Sequence, residues 1–83
     1  MKLDPAVTMV ETDYGWVLLD ESAGAYYSLN PTGVVALRAL LDGADLETAI
    51  TRITTQYDVD AETARSDVED LLWQLDQAKL VAR

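Results

Sequence analysis

The sequence predicts an α+β fold, a three-stranded antiparallel meander followed by three helices. Three observations carry this. Up to Asn30 apolar and polar residues alternate, and β-branched and aromatic residues are common. The breaks at Asp13–Gly15 and Glu21–Gly24 are too short for a crossover, so neighbouring strands must run antiparallel. Beyond Asn30 apolar residues recur at three- and four-residue spacing, and each run opens on an Asn or Asp.

The first strand is predicted over about 6–12, where Val7, Met9 and Glu11 alternate with Thr8, Val10 and Thr12. Asp13-Tyr14-Gly15 is a turn signal, because Gly15 can take positive φ. The second strand covers 16–20, and Glu21-Ser22-Ala23-Gly24 forms the next turn. The third strand covers 25–29. Ala25, Tyr27 and Leu29 share one face, Tyr26 and Ser28 the other. Tyr27 is therefore expected to pack in the core. As the last strand of the meander, 25–29 is expected at an edge, with one row of backbone groups unpaired.

The first helix is predicted over about 31–42. Asn30 is a good N-cap, Pro31 suits the first helical position, Val34, Leu37 and Leu41 form the stripe, and Gly43 ends it. The second helix, about 46–57, starts from Asp45 and carries Leu46, Ala49, Ile50, Ile53 and Tyr57 on one face. The third, about 61–78, starts from Asp60, with Glu62 in the first turn favoured by the helix dipole. Its stripe is Ala61, Ala64, Val68, Leu71 and Leu75. Trp73 lies beside that stripe, where it either covers a core seam or lines a groove. Leu80-Val81 is expected to tuck back. The whole chain, 1–83, reads as one domain. A small sheet with three helices is also the parts list of a winged helix, so the expected architecture is winged-helix-like.

Composition narrows the chemistry. Of 83 residues 49% are hydrophobic, enough for one core. There is no Cys and no His, which removes disulfides, thiol nucleophiles, Cys–His dyads and the usual zinc and haem ligand sets. No metal and no cofactor is expected. Fifteen acids against six bases give a net charge of −9, which repels phosphate backbones. The third helix has Arg65 as its only base before Lys79, a poor equipment for reading DNA. No apolar stretch is long enough to span a membrane, and Met1–Pro5 has no signal core. A cytoplasmic protein with no nucleic-acid or membrane partner is the expectation.

The acidic residues suggest no active site. Asp20, Glu21, Asp67, Glu69 and Asp70 read as solvated surface, without the buried neighbours that tune a catalytic carboxyl. Asp58–Glu69 places acids at positions 1, 3, 5 and 12 of a calcium loop, but Thr63 stands where the loop needs Gly, so helix capping is the better reading. Tyr27-Ser28-Leu29 lacks the Asp that precedes an acyl carrier's modified Ser. No catalytic residue is predicted.

The run Trp16-Val17-Leu18-Leu19-Asp20, followed by Ala25-Tyr26-Tyr27-Ser28-Leu29-Asn30-Pro31-Thr32-Gly33 and a Val/Ala/Leu helix, resembles the PqqD-like family. The end, Leu71-Leu72-Trp73-Gln74-Leu75 to Lys79-Leu80-Val81, is similar to that family's last helix and closing turn. The likeness covers nearly the whole chain. Length, acidity and the Tyr-Tyr strand are most similar to the stand-alone leader-binding proteins of lasso-peptide biosynthesis. The resemblance implies a winged-helix-like RiPP recognition element (RiPP denotes a ribosomally made, post-translationally modified peptide) that is not an enzyme. It implies a precursor leader peptide as partner, added as a strand to 25–29 and resting against the third helix. It further implies delivery to a leader peptidase, followed by a cyclase. The implied site residues are Ala25, Tyr26, Tyr27, Ser28 and Leu29, with Arg65, Glu69, Leu72, Trp73 and Asp76 on the groove side of the helix. The residues fit that role: an open edge offers sequence-blind backbone bonds and adjoining pockets offer specificity. Other readings are a winged-helix transcription regulator, which the acidic third helix disfavours, and a generic protein-interaction domain.

Overall fold

The computed structural model describes residues 1–82. The element order is β1 (Lys2–Leu3), β2 (Val7–Thr12), β3 (Gly15–Asp20), β4 (Ala25–Leu29), α1 (Pro31–Leu41), α2 (Leu46–Gln56), α3 (Ala61–Gln77) and β5 (Val81–Ala82). The expected meander is β2-β3-β4, antiparallel throughout, with three helices after it.

Turn chemistry sets the register. Thr12 pairs with Gly15 across the two-residue turn, and Asp20 pairs with Ala25 across the next. At the first turn the Thr12 hydroxyl donates to the Gly15 carbonyl at 2.9 Å, and Gly15 sits at φ 127°, a conformation that a Cβ would strain. At the second, Asp20 Oδ1 accepts from the Ser22 N–H at 3.0 Å and the Ser22 hydroxyl at 2.7 Å. These bonds favour the ionised carboxylate, the Ser22 hydroxyl most, and lower its pKa.

The helices start where their caps predict. Asn30, Asp45 and Asp60 accept from the N–H groups of Gly33, Thr48 and Thr63 at 2.7, 2.8 and 2.7 Å. The Thr48 and Thr63 contacts hold the Asp45 and Asp60 carboxyls below the ordinary range. Two helices end in the same motif. After α1, Gly43 N–H donates to Leu40 C=O and Ala44 N–H to Ala39 C=O. After α3, Lys79 N–H donates to Asp76 C=O and Leu80 N–H to Leu75 C=O. Gly43 takes the required positive φ freely, whereas Lys79 is forced into it at 58°.

The core has two lobes that meet at α1. Ala36, Ala39 and Leu40 pack with Ala49, Ile50, Ile53, Ala64 and Val68 between the helices. Leu37 packs with Val7, Leu18, Leu75 and Leu80 between sheet and helices. Val10, Val17 and Leu19 point to the other face of the sheet and join neither lobe.

Several expectations need correction. Lys2–Leu3 pairs with Val81–Ala82 as a separate antiparallel ribbon, extended by Asp4 N–H donating to Leu80 C=O at 2.8 Å. The tail thus tucks back onto the N-terminal residues. Tyr27 is 39% exposed and not core, because its side of the sheet is uncovered at β4. Trp73 is 64% exposed and seals no seam. Ala61 is exposed and Tyr57 lies past the end of α2 as its C-cap, so neither belongs to a buried stripe.

Candidate functional site

The open edge of β4 can be read from the pairing of the middle strand. Glu21 N–H donates to Ala6 C=O at 2.9 Å, which makes 6 and 21 a bonded pair. Bonded and non-bonded pairs alternate in an antiparallel ladder. Gly15, Val17 and Leu19 therefore direct their backbone groups to β2, and Trp16, Leu18 and Asp20 direct theirs to β4. On β4, Leu29, Tyr27 and Ala25 answer them. The N–H and C=O groups of Tyr26 and Ser28 point away from the sheet. Among the described residues no strand pairs with that side.

A cleft of about 520 Å³ lies between this edge and α3. Its floor is apolar: Leu29, Ile53, Val68 and Leu71. One rim carries Ser28, Asn30 and Thr32, the other Asp67, Asp70 and Gln74. Asn30 does double duty, capping α1 and standing in the rim. Its Oδ1 lies so near Gly33 that an added Cβ would come within 2.7 Å of it. Glycine at 33 thus permits both the cap and the mouth of the cleft.

The residues expected at the site divide sharply. Ala25 to Leu29 form one continuous edge, with Tyr26 70% exposed. None of the five expected α3 residues lines the cleft. Arg65 pairs with Glu47 of α2, whose carboxylate raises the guanidinium pKa. Leu72 packs against the three-helix lobe. Glu69, Trp73 and Asp76 are exposed away from the cleft. The cause is helical phase. At about 100° per residue, Ala64, Val68 and Leu75 face inward and the flank at 67, 70, 71 and 74 is the one that turns to β4. Asp67, Asp70, Leu71 and Gln74 line the cleft without having been expected there. Leu71 in the apolar stripe, with polar neighbours at 67, 70 and 74, was the available signal.

A second recess of about 270 Å³ lies at the tip of the β2–β3 hairpin, with Tyr14, Trp16, Pro31, Val34 and Tyr57 around it. Leu29 lines both cavities. The Arg38 guanidinium stacks over the Trp16 ring, 4.5 Å from its centroid.

Among the described residues no group of three or more Asp or Glu side chains is placed to hold a metal ion. No helix among them is long and apolar enough to cross a membrane. What the site offers is unpaired backbone, an apolar floor and acidic polar rims.

The family model for coenzyme PQQ synthesis protein D (PqqD) matches residues 15–81, from β3 through α3 to β5. Among solved structures, a lasso peptide synthetase B1 complexed with the leader peptide is 32% identical, with 99% of this chain and 96% of that chain aligned at a TM-score of 0.88. TbiB1 in complex with the TbiA(beta) leader peptide is 30% identical over 100% of both chains, at a TM-score of 0.80. No curated protein sequence matches.

Proposed function

The chain belongs to the PqqD family, and from that premise we propose that it is a RiPP recognition element of lasso-peptide biosynthesis. It captures the leader segment of a precursor peptide by strand addition to β4. The observation that carries this is the unpaired Tyr26 and Ser28 backbone along the edge of β4, with Ser28 itself lining the cleft beside α3. Both similar structures hold leader peptides, which supports the same use of the cleft here.

Backbone bonds along β4 supply a sequence-blind part of the affinity, and side chains entering the cleft supply the selective part. A free leader is disordered and loses entropy when it binds, so apolar contacts with Leu29, Val68 and Leu71 must offset that loss. The protein itself catalyses nothing in this reading. It acts as an adaptor that presents the bound precursor to a leader peptidase, with a cyclase acting afterwards. The transcription-regulator reading has little to stand on: Arg65, the base within α3, is already paired with Glu47.

Fluorescence polarisation tests the reading, using a labelled leader from the precursor encoded beside this chain. The expected result is saturable binding, with NMR shift changes concentrated in 25–33 and on the 67–74 flank of α3. Absence of binding by the folded protein, alone and with its peptidase, would sink it.

A further inference from the structure

We propose that the cleft selects its peptide through one cationic side chain, a Lys or Arg whose head meets Asp67 and Asp70. This rests on the cleft being the peptide site and adds what that site recognises.

Asp67 and Asp70 stand three residues apart on one flank of α3, and both line the cleft. Among the described residues no basic side chain lines it with them. The opposite rim, Ser28, Asn30 and Thr32, is neutral. Neither carboxylate has an ion-pair partner among the described residues, where Arg65 and Glu47 form the pair that does exist. Two like charges at this spacing repel one another until a cation lies between them.

Geometry favours a long cationic side chain over a short donor. A strand added to β4 turns every second side chain toward the helical face of the sheet, and so into the cleft. Such a side chain first meets Leu29, Val68 and Leu71, and only then the carboxylates at the rim. Lys and Arg match that order, with an apolar stem and a charged head. An acidic side chain at the same position meets two carboxylates and no base. This selection is local. It differs from the long-range pull that a net charge of −9 exerts on any basic molecule.

The test is selection of a displayed random 12-residue peptide library against the full chain. The expected outcome is an enriched motif with apolar positions and one fixed Lys or Arg. The same selection against Asp67→Asn/Asp70→Asn should keep the apolar positions and lose the basic preference. Glu69→Gln/Asp76→Asn makes the same charge change outside the cleft and should keep both. Titration of the top peptide should then show about a tenfold loss on Lys→Gln or Arg→Gln with the native protein, and less than about twofold with the cleft variant. An enriched motif without a basic position overturns the proposal. So does a basic preference that survives the cleft variant, or one that the outer variant removes equally, and in these cases the peptide-binding reading stands. No enrichment at all overturns both.

Discussion

A proline at Ser28 should weaken leader binding about tenfold and leave the fold standing. Ser28 N–H points to the open side of β4, so removing it takes nothing from the β3–β4 ladder, and proline is tolerated on such an edge. The missing donor removes one hydrogen bond to the added strand, worth about 1 kcal/mol net. The ring also occupies the place of the incoming carbonyl, which stays unpaired beside the apolar floor. Together these come to about 1–2 kcal/mol, or roughly 5- to 30-fold in Kd. Tyr27→Pro is the counterpart. Its N–H belongs to the pair with Leu18, so that change should unfold the sheet. Polarisation titrations of labelled leader, with circular dichroism melts of each variant, separate the two effects. A folded Ser28→Pro variant that binds with native affinity would refute strand addition at β4.

Other outcomes follow from the packing and the caps. Leu18→Ala should cost about 3–5 kcal/mol in urea unfolding, because Leu18 is 0% exposed at the centre of the sheet lobe. Lys79→Gly should raise the melting temperature by a few degrees, since it removes about 1 kcal/mol of left-handed strain at the end of α3. Trp73→Ala should leave leader affinity within about twofold in the same titration, because Trp73 stands outside the cleft. Asp20, Asp45 and Asp60 have folded pKa values below their unfolded ones, so the unfolded chain takes up protons first as pH falls. Their contribution should be complete above about pH 5, start to fall near pH 4 where the unfolded carboxyls protonate, and be lost progressively as pH drops through the lower folded values. The triple Asn variant, which keeps the caps, should show a shallower acid loss in melts from pH 3 to 6.

The meander and the helices were legible because each carries its own local signal. Thr12 to Gly15 encodes a two-residue turn, and Asn30, Asp45 and Asp60 mark helix starts by the bonds they later make. The ribbon of Lys2–Leu3 with Val81–Ala82 was not legible, since two-residue strands are too short to show a period and their pairing spans the whole chain. Strand parity put Tyr27 on the inner face correctly but says nothing about what covers that face. Tyr27 stays 39% exposed there. Its place as the last strand of the meander identified β4 as an edge. On α3 the expected residues and the cleft lie on opposite flanks, because the stripe Ala61, Ala64, Val68, Leu71 and Leu75 does not by itself reveal which of its two sides turns to the sheet. Leu71 packs against both lobes and lines the cleft, whereas Leu72 packs against the helix lobe and does not line the cleft.

The ribbon at the chain ends also fixes how the molecule bears load. Lys2 faces Ala82 at its outer end and Leu3 faces Val81 further in, so tension applied at the two ends falls on one pair at a time. The bonds would open in series, like a zipper, and then reach Asp4–Leu80. Only after that would force pass to Leu80 and the lobe holding Leu18 and Leu75. A pulling experiment through the termini should therefore record a small, early yielding step before the main rupture.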